Sequence, residues 1–203
     1  MLFEVRNVAT PFSAPMSFSL DAGQVLTVFG ASGSGKSQML RALADLSPHE
    51  GAVFLAGVNQ TAMRPEHWRK QVGYVPAESG WWADSVAEHF SVAPKAQWLA
   101  ALSLPPTLLE APVERLSSGE RQRLAALRAL SIEPRVLLLD EPTANLDDAN
   151  ARALTQLVLE YVQSHQAAAV WVSHSGDERL RLGERSLEMP AGPAALPVQG
   201  APA

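Results

Sequence analysis

The feature that most constrains this chain is the segment GASGSGKS, which runs from Gly30 to Ser37. It follows the apolar segment VLTVF and precedes QMLRALADL, in which apolar residues repeat at helical spacing. A G-x-x-x-x-G-K-[ST] pattern between a strand and a helix is typical of a phosphate-binding loop. Gly33 and Gly35 allow the backbone to curl so that successive N–H groups face a polyphosphate. The N-terminus of the following helix adds partial positive charge behind these groups.

Each residue of the loop has an expected task in binding a polyphosphate and Mg²⁺. Lys36 is expected to reach the β- and γ-phosphates, and the Ser37 hydroxyl is expected to ligate Mg²⁺. A Gly/Ser-rich turn with an incidental lysine is the alternative, which the position between strand and helix disfavours. The remaining loop residues are expected to contact the phosphates through their backbone: Gly30, Ala31, Ser32, Gly33, Ser34 and Gly35.

Two carboxylates end a second apolar segment, VLLLDE, from Val136 to Glu141. In a protein with a phosphate-binding loop, the first acid at such a strand end holds Mg²⁺ through its water shell. The second can orient and deprotonate an attacking water. We assign these roles to Asp140 and Glu141. An exposed acidic pair after a strand is the alternative, and the accompanying loop favours the functional interpretation.

Composition bounds the class of protein. The chain has 203 residues, of which 47% are apolar and 18% charged, enough for one compact unit with a substantial core. A net charge of -5 argues against broad nucleic-acid binding, which requires a basic face. The absence of cysteine excludes disulfides, thiol catalysis and cysteine zinc sites. No apolar run approaches the roughly 20 residues needed to cross a bilayer.

Short apolar segments alternate with helical patterns, which predicts an α/β layered sheet. The segment from about Gly80 to Ile132 has few strand signals and several prolines, and we interpret it as an inserted helical subdomain. The main unit is predicted to span residues 1–190, followed by a Pro/Ala-rich unstructured tail, 191–203. Expected strands are Phe3–Val8, Met16–Leu20, Val25–Phe29, Val53–Leu55, Val72–Val75, Val136–Leu139 and Ala169–Val172.

Between the two phosphate-site patterns lies RLSSGERQR, from Arg115 to Arg123. It resembles the LSGGQ signature of the ATP-binding subunits of ABC transporters. The signature segment of this chain is Ser117–Glu120, in which Ser118 and Glu120 depart from the commonest form. Its hydroxyl, free amides and helix N-terminus can bind phosphate, although a simple helix cap also fits SSGE. The matching residues expected to contact nucleotide are Ser117, Ser118, Gly119 and Glu120.

The resemblance extends to two further motifs and implies a fold and an assembly. The D-loop is PTANLD, Pro142–Asp147, and the family would place Asp147 across a dimer interface. WVSHS resembles the H-loop, where His174 would contact the γ-phosphate and support Glu141. The resemblance implies an ATPase core with an antiparallel β subdomain, and a head-to-tail dimer of two copies that encloses two ATP molecules.

Two positions depart from the family pattern or match it less clearly. Phe12 is the candidate for the aromatic residue that stacks on adenine. The family generally reads VGYVPQ, with a glutamine that contacts Mg²⁺ and water, whereas this chain has Ala77 there. We expect Glu78, one residue on, to replace that amide as a metal contact. A slower site that relies on Glu141 and His174 is the alternative.

The segment SGWWADSV carries two adjacent tryptophans where the family contacts its transmembrane partner. Trp81 and Trp82 are therefore expected to bind a separate integral membrane permease, although a core role is the alternative. The resemblance implies an ATPase that powers transport, peripheral on the cytoplasmic side of the inner (plasma) membrane. A regulatory or adaptor ABC protein that dimerises without transport remains an alternative, supported by Ala77. A DNA-repair or ribosome-associated ABC protein is disfavoured by the acidic, minimal chain.

Overall fold

A computed structural model describes residues 1–183 and 185–190 of the chain. The predicted tail, 191–203, lies outside the described residues. The strands are β1 (Phe3–Thr10), β2 (Ser13–Leu20), β3 (Val25–Phe29), β4 (Glu50–Leu55), β5 (Val58–Asn59), β6 (Val72–Val75), β7 (Val136–Asp140), β8 (Ala168–Val172) and β9 (Ser186–Glu188). The helices are α1 (Lys36–Leu43), α2 (Pro65–Gln71), α3 (Ala96–Ala101), α4 (Ser118–Ser131), α5 (Asp148–Ser164) and α6 (Gly176–Leu182).

The strands form an antiparallel sheet and a parallel sheet. The antiparallel sheet has the order β2-β1-β4-β5, and the parallel sheet has the order β6-β7-β8-β3-β9. Every residue of β7 and β8 is buried, which explains why both strands are apolar almost throughout. Because these strands run parallel, the loops after β3, β7 and β8 meet at one edge of the sheet.

Two apolar clusters cover the two faces of the parallel sheet. Alternate residues of β7 point to opposite clusters: Val136 and Leu138 join one, and Leu137 and Leu139 join the other. α1 packs into the first cluster, and the longer α4 and α5 pack into the second. The apolar residues that recur at helical spacing along these two helices are buried: Leu124, Leu127, Leu130, Leu154, Leu157, Val158, Tyr161 and Val162.

The segment predicted as a helical insertion contains α3, α4 and short 3₁₀ turns. Within the described residues its only strand-like pairing is an isolated bridge between Ser85 and Pro112. The exact subdomain limits remain a prediction. The elements β5, α2 and β9 were not predicted, since each is too short to show a period. None of the helices in residues 1–183 and 185–190 has the length and apolarity of a membrane span.

Candidate functional site

The phosphate-binding loop follows β3, and its last two residues, Lys36 and Ser37, are the first two residues of α1. Gly33 and Gly35 have φ values of 79° and 90°, in the left-handed region that favours glycine. A Cβ on Gly35 would also lie 2.5 Å from the carbonyl oxygen of Phe12. Backbone conformation and space therefore both require glycine at the point where the loop turns into the helix.

Lys36 is held inside this loop and is only 6% exposed. Its Nζ donates hydrogen bonds to the carbonyl oxygens of Gly30, at 3.0 Å, and Ala31, at 2.9 Å. Burial lowers the pKa of the ammonium, and the negative charges of Glu141 and Asp140 oppose that shift. A cation held by loop carbonyls at this place is suited to bind phosphate oxygens.

Asp140 ends β7 and is 2% exposed. The Tyr74 hydroxyl donates to its Oδ2 at 3.2 Å. Burial raises the pKa of this carboxyl, the hydroxyls of Ser37 and Tyr74 lower it, Glu141 raises it and Lys36 lowers it. Its Oδ1 is buried and has no hydrogen-bond partner among the described residues. A buried carboxylate oxygen without a hydrogen-bond partner fits a hard cation such as Mg²⁺.

Glu141 and His174 form a pair at the ends of β7 and β8. Nε2 of His174 lies 2.9 Å from Oε1 of Glu141. The backbone N–H of Glu141 donates to the carbonyl oxygen of Val172 at 3.2 Å, which anchors it to the neighbouring strand. Glu141 has a φ of 47°, uncommon for a residue other than glycine and frequent at functional sites. The histidine can therefore orient this carboxylate.

One cavity of about 310 Å³ joins these elements. Half-exposed Phe12, in the turn between β1 and β2, leaves part of its ring free beside this cavity. Stacking of this ring on adenine stays a prediction. The residues that line the cavity are Phe12, Ser32, Gly33, Gly35, Lys36, Ser37, Gln38, Glu141 and His174.

The signature segment does not line this cavity in the part of the chain that the structure describes. Ser117 is the N-cap of α4, which begins at Ser118. Its Oγ accepts the backbone N–H of Glu120 at 3.2 Å, and the Glu120 carboxylate accepts the backbone N–H of Ser117 at 2.8 Å. The helix cap, which was the alternative interpretation, is present and uses the hydroxyl that was predicted to contact nucleotide, and that contact stays a prediction.

Asp147 of the D-loop has a similar local role. It is the N-cap of α5, and its carboxylate accepts the backbone N–H of Asn150 at 2.9 Å. Hydrogen bonds from Asn150 lower the pKa of this exposed carboxyl. Like the signature segment, Asp147 lies outside the phosphate-loop cavity of the described chain. Its contact with a partner copy stays a prediction.

Ala77 and Glu78 follow β6. Glu78 is exposed, and the cavity lining in the described residues does not include it. Its role as a metal contact remains a prediction. Tyr74, three residues before Ala77, is the residue of this strand that contacts Asp140.

The two tryptophans differ in exposure. Trp81 packs against the α4 and α5 core cluster, whereas Trp82 is 73% exposed. The ring of buried His89 contacts both indoles, with centroid distances of 4.8 and 4.6 Å. The Arg128 guanidinium lies 5.0 Å from each indole centroid. The core alternative therefore applies to Trp81 only, and Trp82 is open to a partner.

His89 also holds the backbone of this loop. Its Nε2 accepts the N–H groups of Trp82, at 2.8 Å, and Ala83, at 3.0 Å. Its Nδ1 lies 2.9 Å from the carbonyl oxygen of Ser85, so this nitrogen carries the proton. The neutral ring thus holds the loop backbone in the conformation that exposes Trp82.

Sequence reasoning missed several polar contacts around the site. Tyr74 was read only as part of a strand, because nothing in the sequence shows that its hydroxyl reaches a strand 66 residues later. Thr143 donates to the buried carboxylate of Glu178 at 2.5 Å and so connects the D-loop to α6. Arg123 and Asn150 connect α4 to α5. For the contact of Arg123, the only indication in the sequence was that a basic residue follows the signature segment.

The chain is similar to known proteins. A family model described as ABC transporter matches residues 14–144. The lipoprotein-releasing system ATP-binding protein LolD of Idiomarina loihiensis is 36% identical over 180 residues, covering 78% of each chain. The "Probable iron export ATP-binding protein FetA" of Escherichia coli (strain K12) is 33% identical over 175 residues, covering 80% of this chain and 78% of FetA.

A solved structure gives the same result for the fold. A dimeric ATP-binding cassette in a post-hydrolysis state, bound to ADP and Pi, superposes with a TM-score of 0.80 at 22% sequence identity. The match covers 93% of this chain and 94% of that one. The chain belongs to the ABC transporter family. It is an ATP-binding and ATP-hydrolysing subunit of that family, and the predicted α/β ATPase fold is confirmed.

Proposed function

We propose that this chain hydrolyses ATP with Mg²⁺ at a composite site formed by two copies arranged head to tail. The observation that carries the proposal is the division of the predicted residues between two places. Lys36, Glu141 and His174 line one cavity, whereas Ser117 and Asp147 lie outside it. A second copy would bring its signature segment to the nucleotide, and dimeric cassettes of this fold are known.

Within one copy, Lys36 would bind the phosphates, and Ser37 with Asp140 would hold Mg²⁺. The cation would neutralise charge on the phosphate oxygens. Glu141, oriented by His174 at 2.9 Å, would accept the proton of the attacking water. Positioning and charge stabilisation would supply most of the acceleration. Repulsion between the anionic products would then open the dimer.

The surface around Trp82 is the proposed contact for an integral membrane permease. A groove of about 300 Å³ lies beside it, with apolar walls that include Leu46, Pro76 and Ile132 and with Arg128 at its side. Exposed aromatic and apolar residues grouped with an arginine are typical of protein interfaces. The chain would then be peripheral, on the cytoplasmic side of the inner membrane.

Turnover of the wild type beside Glu141→Gln tests the catalytic proposal. We expect the variant to lose about 100-fold or more in turnover and to keep ATP binding, because the glutamine cannot accept a proton. Equal background turnover in both proteins would contradict the proposal. Sedimentation of Glu141→Gln with and without ATP tests the composite site, which requires an ATP-dependent dimer.

Co-purification from membranes tests the permease contact. We expect Trp82→Ala to lose an associated integral membrane protein that the wild type retains. Trp68, another tryptophan, is fully buried, so Trp68→Phe would disturb the core and is unsuitable as a control. Leu180→Ala is a matched control, since Leu180 is 83% exposed on α6. Retention of the membrane protein by Trp82→Ala, or equal loss in Leu180→Ala, would exclude Trp82 as the specific contact.

A further inference from the structure

Arg123 lies four residues after Gly119 on α4 and is buried although it carries a charge. Its Nη1 donates to the carbonyl oxygen of Leu102 at 2.5 Å and to Oδ1 of Asn150 at 2.7 Å. Its Nε donates to the carbonyl oxygen of Gly119 at 3.2 Å. One side chain therefore joins the signature segment, the end of α3 and the first turn of α5.

Asn150 continues this connection to the D-loop. Its backbone N–H donates to Oδ1 of Asp147 at 2.9 Å, and its Nδ2 donates to Oδ2 at 2.6 Å. Because Nδ2 is committed to Asp147, the amide oxygen is the atom that faces Arg123. A continuous series of hydrogen bonds runs from the Gly119 carbonyl to the Asp147 carboxylate.

The signature segment and the D-loop also lie side by side. A Cβ on Gly119 would lie 3.4 Å from Cδ2 of Leu146 and 3.7 Å from the carbonyl oxygen of Asn145. These are ordinary van der Waals distances for an atom that glycine lacks, so the D-loop lies about one side-chain atom away from Gly119. The hydrogen bonds of Arg123 and Asn150 therefore join two segments that are adjacent.

We propose that Arg123 and Asn150 are positioning residues that hold the signature segment and the D-loop as one unit. This inference rests on the proposed function, because both segments are to act on the nucleotide of a second copy. If they move as a unit, closure of the dimer presents both at once. A guanidinium suits this task because its donors point in fixed directions, whereas a lysine ammonium cannot reproduce them.

The test compares Arg123→Lys, Asn150→Ala and the double variant in the Glu141→Gln background. Analytical ultracentrifugation measures ATP-dependent dimerisation, and a fluorescent ATP analogue measures binding to the monomer. We expect the dimer dissociation constant to rise about tenfold in each single variant, with little further rise in the double variant. Nucleotide binding to the monomer should change by less than about twofold, because neither residue lines the ATP cavity.

Arg121→Lys is the matched control, since Arg121 lies on the same helix and donates to the carbonyl oxygen of Val113 instead. Normal dimerisation of Arg123→Lys, or an equal loss in Arg121→Lys, would overturn the inference. Thermal unfolding of each variant separates loss of the link from loss of folding. A variant that binds the ATP analogue normally but dimerises weakly supports a positioning role.

Hydrogen exchange in the monomer measures the link without the dimer. We expect amides of 117–120 and 144–147 to exchange faster together in Arg123→Lys than in its parent. Unchanged exchange in either segment would overturn the inference even if dimerisation weakened. Failure of the Glu141→Gln parent to dimerise with ATP would remove the composite site, and exchange alone would then decide whether the link exists.

Discussion

The polar groups of two regions of this molecule are satisfied in different ways. The phosphate-loop region buries Lys36 and Asp140 and leaves Oδ1 of Asp140 without a partner among the described residues. The cap region, formed by the signature segment and Asp147, satisfies its own polar groups through helix caps. The first region therefore has a buried polar atom left for a ligand. The second region satisfies its polar groups by itself.

The carboxyl groups of the two regions show the same contrast in their pKa values. Burial raises the pKa of Asp140. Hydrogen bonds from Ser117 lower the pKa of Glu120, and hydrogen bonds from Asn150 lower that of Asp147. A raised carboxyl pKa means that the folded state disfavours the charged form, and a lowered carboxyl pKa means that the folded state stabilises it. Asp140, the predicted metal contact, therefore lies where the folded state disfavours its negative charge.

Removal of the loop cation should give the largest effect. We expect Lys36→Ala to reduce ATP turnover by about 100-fold or more, because a buried cation that binds transferring phosphates is lost. A coupled assay of phosphate release measures it. Lys70→Ala is the control, since Lys70 is an exposed lysine of α2. Comparable losses in both variants would show that overall charge, rather than the loop, binds ATP.

Replacing Asp140 by a neutral residue should raise the stability of the protein and remove its activity. Because burial raises its pKa, this carboxyl contributes stability in its protonated form, and that contribution is lost as the pH rises through the folded-state pKa. We expect Asp140→Asn to raise the free energy of unfolding at pH 7.5 by about 2 kcal/mol and to abolish turnover with Mg²⁺. Urea unfolding measures the gain.

The same comparison at acid pH is the check on Asp140. The stability gain of Asp140→Asn should shrink as the pH falls toward 3.8, the ordinary pKa of an aspartate, because the wild-type carboxyl is then also protonated. A variant less stable than the wild type at pH 7.5 would show that hydrogen bonds to Asp140 outweigh the burial of its charge. The contrast between the two regions would then fail.

Truncating the cap of α4 tests the cap region. We expect Ser117→Ala to lower the free energy of unfolding by about 1 kcal/mol, because the N-cap acceptor of the Glu120 N–H is removed. Urea unfolding measures the loss. Thr107→Ala, at an exposed position, should change stability by less than about 0.5 kcal/mol. An unchanged stability of Ser117→Ala would mean that the region does not stabilise itself.

Glu78 should give the smallest effect. Since its side chain is exposed and outside the cavity lining, we expect Glu78→Ala to change turnover and its Mg²⁺ dependence by less than about twofold. Steady-state turnover over a series of Mg²⁺ concentrations measures this. A clear shift in the Mg²⁺ requirement would instead support the sequence-based assignment of Glu78 as the replacement for the missing amide at Ala77.

Local patterns predicted most of the fold. The strands and the buried stripes of α4 and α5 show regular apolar spacing, and the structure has them. Short elements such as β5 and β9 have too few residues for a period, and their existence depends on neighbours that pair with them. Trp81 and Trp82 are identical residues in sequence, yet the packing of the core cluster buries one and leaves the other exposed.

The sequence by itself determined the phosphate-binding loop, the acidic strand end and the family, because these depend on residue types at fixed local spacing. Only the tertiary structure decided that Tyr74 binds Asp140 and that Arg123 joins the signature segment to Asn150. Those contacts join residues far apart along the chain. Their geometry depends on strand order and helix packing, which no local pattern encodes.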